Sequence, residues 1–199
     1  MKLLDHPDEF KTGIRVLLLV RRNKDGASNG PNFKEVSYSK AKFDDVVQKM
    51  LARVPDLTGY RLYASADERT LTPAQLDFSQ RKTKADFSTD PLSFYRDIEN
   101  HWISCLSGNA ARKTKYFLFD IDNPCISVFG EVEQAVRDAH QEHWQKHVSN
   151  GVDDYFSPIV YRYATKSGYH LITLPFDPGK LPAEYSDLRK TNAMMLWGF

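Results

Sequence analysis

Residues 14–21 are apolar almost throughout, and that pattern predicts a strand buried on both faces. Turn formers fill 23–31, and 33–38 then alternates polar and apolar, so a hairpin is expected. Ser39 can cap a helix running to about residue 53, with Phe43, Val46, Val47 and Met50 on one stripe. Pro55 and Gly59 end it, and 60–65 reads as a third strand. Thr72-Pro73 is a cap-then-proline helix start. A further helix is expected over 91–106, with Phe94, Ile98, Trp102 and Cys105 at helical spacing, stopped by Ser107-Gly108. Residues 115–122 predict a strand, and 130–148 a helix with Val132, Ala135, Val136 and Ala139 inward. Residues 159–165 and 169–174 predict a hairpin around Lys166-Ser-Gly168, where Gly168 offers a left-handed turn. The tail from Pro182 to Trp197 reads as helical. This order predicts an α+β fold: a β-α-β-β core with an antiparallel sheet, preceded by a ββαβ and helical lobe. The division is expected at 1–110 and 111–199, or else one compact domain.

Chemistry concentrates in the core unit. The strand Phe117-Leu-Phe-Asp-Ile-Asp122 ends in carboxylates at i and i+2. Strand side chains alternate, so Asp120 and Asp122 share one face and Phe117, Phe119 and Ile121 the other. Paired carboxylates suit a hard divalent cation such as Mg²⁺, which is usually held by one or two carboxylates plus substrate phosphates. The alternative is a pair of solvated carboxylates beside an Asn123-Pro124 turn. Lys166, Ser167 and His170, with Arg162 nearby, are phosphate-binding residue types around the second turn.

A net charge of +1 excludes a global basic field, so any nucleic-acid surface must be local. The runs Arg81-Lys-Thr-Lys84 and Ala111-Arg-Lys-Thr-Lys115 are candidates, though such runs are usually solvated faces. Arg61, Tyr63 and Arg69 are further candidates at a strand end. Two cysteines, Cys105 and Cys125, make no disulfide framework, which with the lack of a signal-like start points to a cytoplasmic chain. The longest apolar run, 16–20, is too short to span a bilayer, so no membrane partner is expected.

The order Phe119-Asp-Ile-Asp122, helix, then Ser167-Gly-Tyr-His170 resembles the palm of the archaeo-eukaryotic primase (primase-polymerase) superfamily, in a minimal, phage-type form. The likeness covers residues 115–174. It implies an RRM-like palm and a nucleotidyltransferase acting on nucleoside triphosphates and nucleic acid with Mg²⁺ or Mn²⁺. Asp120 and Asp122 would be the catalytic metal ligands, and Ser167 and His170 the phosphate ligands. Lys166 and Arg162 are helpers on chemistry alone. The family carries a third acid on a later strand, for which Asp177 is the nearest candidate and Asp187 the next. Without it the two-metal arrangement is incomplete, so a catalytically inactive module that binds nucleotide, nucleic acid or a protein partner stays open.

Phe117-Leu-Phe-Asp-Ile-Asp122 also resembles the first motif of haloacid-dehalogenase-type phosphatases, which need a long α/β domain after it. Ser107-Gly108 before Asp120 only faintly resembles polymerase-beta-type nucleotidyltransferases, whose order is Gly-Ser. His101-Trp-Ile-Ser104 and His170-Leu-Ile-Thr173 have the wrong spacing for a two-histidine phosphodiesterase. His140, His143 and His147 share a helix face, where histidines packed over the sheet are favoured over a zinc site.

Overall fold

The computed structural model describes residues 1–22, 30–147, 157–190 and 193–198, side chains of 143–147 excepted. The chain is α+β and divides into two units, Met1–Thr114 with Leu196–Phe199, and Lys115–Met195.

In the first unit, β1 (Arg15–Arg21) pairs antiparallel with both β2 (Phe33–Ser37) and β3 (Tyr60–Ser65). Helix α1 (Lys40–Ala52) follows β2 and buries Phe43, Val47 and Met50. Here the ββαβ reading matches the elements. Helix α2 (Leu71–Asp86) is flanked by Thr70 rather than Thr72, because Leu71 and Thr72 already take helical conformation before Pro73. The single helix expected over 91–106 is two, α3 (Pro91–Arg96) and α4 (Ile98–Ser107). Asp97 breaks it by leaving helical backbone conformation, φ −118° and ψ 26°: its N–H closes α3 on the Phe94 carbonyl and its carbonyl opens α4 by accepting the His101 N–H.

The tail is the largest departure from expectation. Among its described residues only α6 (Ala183–Ser186) is helical. Strands β7 (Arg189–Lys190) and β8 (Met194–Gly198) follow. Met-Met-Leu-Trp is a short apolar run, and such runs do not distinguish strand from helix by period. Strand β8 completes a sheet of order β2-β1-β3-β8. Trp197 packs on Phe43 and on His6, whose Nε2 lies 2.8 Å from the Leu196 carbonyl.

The first unit also holds a buried ionic cluster. Arg112 Nε is 2.7 Å from Asp67 Oδ2, and the Asp67 side chain is fully buried. Arg69, buried beside them, donates to the Ser107 and Gly108 carbonyls at the end of α4. Its burial lowers its pKa, with Arg112 and Arg15 adding to the effect and Asp67 opposing it. Arg69 is therefore committed to this cluster rather than to a ligand. The Arg81 run is likewise a paired solvated face: Arg81 grips Asp77 through two bonds, and Lys82 meets Asp86.

The second unit is a sheet of order β5-β6-β4-β7, built from β5 (Ile159–Ala164), β6 (Tyr169–Thr173), β4 (Phe117–Ile121) and β7. Each neighbouring pair is antiparallel. Helix α5 (Ile126–His147) covers one face, packing Phe129, Val132, Val136 and Ala139 on Phe119, Ile121 and Leu171. It starts a turn before Gly130, where the Asn123 side chain accepts the Cys125 N–H. Cys105 is buried and Cys125 exposed, both free thiols, and burial pushes the Cys105 thiol up to about 11. No helix among the described residues is long and apolar enough to cross a membrane.

Removing one partner of a buried ion pair strands the other. Asp67→Asn should therefore lower stability by about 3 kcal/mol in urea unfolding. A loss within experimental error would mean that Arg112 and Arg69 are satisfied without it.

Candidate functional site

Strand register builds the site. Asp120 of β4 stands opposite His170 of β6, and His170 stands opposite Tyr163 of β5. Residues in one register row point to one face, and here that is the face away from α5, since Phe119, Ile121 and Leu171 fill the helix side. The row is hydrogen-bonded end to end: Tyr163 Oη lies 2.6 Å from His170 Nδ1, and His170 Nε2 lies 3.0 Å from Asp120 Oδ1. An ionised carboxylate only accepts, so Nε2 carries a proton, and in the neutral ring Nδ1 then accepts from the tyrosine hydroxyl. His170 is buried, Asp120 and Tyr163 are half-buried, and the Tyr163 ring stacks on Tyr161.

The second carboxylate sits just past β4. Asp122 is exposed, and its Oδ1 accepts from Ser167 Oγ at 3.2 Å. Ser167 is held by the Thr165–Gly168 turn, closed by the Thr165 N–H donating to the Gly168 carbonyl at 2.8 Å. Gly168 is needed there for a reason other than the left-handed turn expected of it. The positive-φ glycines among the described residues are Gly13 and Gly59. A Cβ on Gly168 would lie 1.9 Å from the Ile121 carbonyl oxygen and 2.7 Å from the Asn123 nitrogen. The turn thus lies directly on the end of β4, which brings Ser167 to Asp122.

The four motif residues Asp120, Asp122, Ser167 and His170 therefore meet at one end of one sheet. Lys166 is exposed on the same turn. Two further candidates do not join them. Arg162 alternates with Tyr163 and so faces α5, where it pairs with Glu133 at 2.9 Å. Asp177 follows the Thr173 end of β6, which stands opposite Phe117 rather than Asp122. Its carboxylate accepts the Gly179 N–H, far along the sheet from the paired acids. Asp187 is exposed in the turn before β7.

Sequence reading missed two members. Tyr163 was legible as the cross-strand neighbour of His170 once the four-residue turn was set. Lys190 was hidden by the helical reading of the tail. Strand β7 pairs with β4, and Lys190 Nζ reaches to 3.9 Å from Asp120 Oδ2. A later strand thus does lie beside β4, and it carries a lysine next to the paired acids instead of a third carboxylate.

Among the described residues no group of three or more His, Cys, Asp or Glu is arranged to hold a metal ion. The donor set here, two carboxylates two residues apart at one sheet end, still fits a hard cation that arrives with phosphates supplying the rest of its shell. His140 is buried edge-on against Phe176, which is the packing reading of that histidine, while His143 and His147 lie outside the described side chains. Comparison with protein-family models, curated proteins and solved structures finds no match.

Two consequences are measurable. Gly168→Ala forces a methyl into the β4 backbone and should cost about 3 kcal/mol, at the upper end of overpacking penalties. A variant as stable as wild type would mean that the turn can lift away from β4. On the helix face, burial tends to raise the Glu133 pKa, but hydrogen bonds from Arg137 and Arg162 outweigh it and hold the carboxyl below its usual range. A lowered folded-state pKa contributes stability above the unfolded value and loses it as pH falls through the folded one. Glu133→Gln should then cost about 1 kcal/mol at neutral pH. The two chains should converge in stability as pH falls below the carboxylate range, in thermal unfolding followed against pH. A difference that persists in acid would show that packing, not charge, carries the effect.

Proposed function

We propose that the second unit is a primase-polymerase-like palm that binds a nucleoside triphosphate with Mg²⁺ or Mn²⁺ and transfers its nucleotidyl group, with nucleic acid as the natural acceptor. The observation that carries this reading is the meeting of Asp120, Asp122, Ser167 and His170 at one sheet end, through contacts that link β4 to the β5–β6 hairpin. Asp120 and Asp122 would hold the cation, which when bound neutralises charge on the phosphates. The exposed Lys166 ammonium, and Ser167 Oγ once turned from Asp122, would be donors for phosphate oxygens. His170 is in direct hydrogen-bond contact with Asp120 at 3.0 Å, so a phosphate held by Asp120's cation would lie beside its ring.

A second reading, a catalytically inactive module that binds nucleotide, nucleic acid or a protein partner, is favoured by one observation: Lys190 beside Asp120, where the two-metal arrangement would call for another acid. The haloacid-dehalogenase-type reading has no comparable support, because β4 is antiparallel to both neighbours and not part of a doubly wound parallel sheet.

Calorimetry with a nucleoside triphosphate and Mn²⁺ tests the reading. Asp120→Asn and Asp122→Asn should each weaken binding at least tenfold. His170→Ala should cost about 1–3 kcal/mol of affinity, the scale of a hydrogen bond to a charged group. Equal affinity in wild type and the double carboxylate variant would remove the nucleotide reading. Primer extension then tests nucleic acid as the acceptor, and binding with no nucleotidyl transfer to any acceptor leaves the inactive module.

A further inference from the structure

We propose that Tyr163 is a nucleophile, and that the chain transfers a nucleoside monophosphate from a bound nucleoside triphosphate onto its own Tyr163 hydroxyl. This rests on the triphosphate-binding reading above and names the acceptor at that same site.

The argument starts from the direction of the hydrogen bonds. A histidine whose tautomer needs fixing ordinarily donates a ring N–H to a carbonyl or carboxylate. His170 does that with Nε2, toward Asp120 Oδ1 at 3.0 Å. In the neutral ring its other nitrogen has a lone pair, and the group placed on that nitrogen is a hydroxyl, Tyr163 Oη, at 2.6 Å. Hydroxyl, imidazole and carboxylate in that order are a nucleophile, its base and the group that orients the base. The serine-protease triad uses the same order with the two ring nitrogens exchanged. A phenol has a pKa near 10 and is a poor nucleophile at neutral pH unless a base takes its proton. Here the base is in contact.

Placement agrees with chemistry. Tyr163, His170 and Asp120 occupy one register row, so the phenol oxygen projects from the same face as the carboxylate proposed to hold the cation and its phosphates. Tyr161 stacks on the Tyr163 ring, with centroids 5.5 Å apart, and limits its rotation. Tyr163 is half-buried, and its bond to His170 is only partly enclosed.

The step balances without an oxidant or reductant. A lone pair on Tyr163 Oη attacks the α-phosphorus of the triphosphate. The Oη–P bond forms as the bond from the α-phosphorus to the α–β bridging oxygen breaks. That electron pair leaves with pyrophosphate. The phenolic proton moves to His170 Nδ1, and the Asp120 carboxylate stabilises the imidazolium. The products are a nucleotide phosphodiester on Tyr163 and free pyrophosphate.

The test uses the full chain with Mn²⁺ and nucleoside triphosphates labelled at either the α- or the γ-phosphorus. Wild type should retain the α-label and lose the γ-label, gain the mass of one nucleoside monophosphate, and carry it on the tryptic peptide containing Tyr163. Tyr163→Phe should reduce the adduct at least a hundredfold. An undiminished adduct in Tyr163→Phe, or an adduct mapped to any other residue, overturns the proposal. The peptide map decides the point on wild type alone if the variant does not fold. Triphosphate binding is measured on the same wild-type sample. Binding without an adduct overturns the tyrosine nucleophile and leaves the nucleotide site standing, whereas absence of binding removes both.

Discussion

The pairing of β5, β6 and β4 sets Tyr163, His170 and Asp120 in one row, and side-chain alternation then sends all three to the face opposite α5. Alternation has a period of two, so a slip of one residue would carry these polar groups under the helix and bring Phe119, Ile121 and Leu171 out. Those three are essentially fully buried against α5. At about 2 kcal/mol for each side chain returned to water, the slip costs far more than the hydrogen bonds of the row are worth. The apolar face thus selects the register, and the register assembles the polar face. Gly168 adds a second lock, since the turn can lie on the Ile121 carbonyl only when the hairpin is in this position along β4.

The same alternation explains which sequence candidates meet and which do not. Asp120 and Asp122 at i and i+2, and His170 near the turn end of its strand, were legible because they need only strand periodicity and one hairpin. Arg162 failed by one residue: adjacent to Tyr163, it faces α5 and is held by Glu133. Asp177 failed by direction, because an antiparallel strand leaving Thr173 ends at the Phe117 side of the sheet. Both errors come from judging proximity along the chain where strand geometry decides it.

Other parts were illegible for a different reason. The break at Asp97 is a backbone departure confined to a single residue, too local to disturb a hydrophobic stripe. The tail misled because 194–198 is too short to reveal a period, and its partners lie in sequence-distant β3 and α1. That misreading had a cost at the site. A tail read as helix removes β7, and with it Lys190, from the edge of β4.

Lys190 bears on how the site balances its charge. Two carboxylates at i and i+2 repel, and a fold offsets this with a cation. Asp120 already has a lysine ammonium 3.9 Å from one oxygen and an imidazole N–H on the other. Both partners are supplied by strands, so the charge is partly balanced before any ligand arrives. Exchanging a carboxylate for an ammonium at such a position shifts the local charge by two units toward positive. That lowers the demand for a second metal and raises the attraction for a polyphosphate. The Lys190 side chain is about half exposed, so in water alone the pair contributes little to stability. On the proposed nucleotide-binding reading, its place at the strand edge would let it turn from Asp120 to a phosphate oxygen and free the carboxylate oxygen. The lysine is in this sense compatible with binding on either reading of the site, and it places the burden of any transfer chemistry on the row formed by Asp120, His170 and Tyr163.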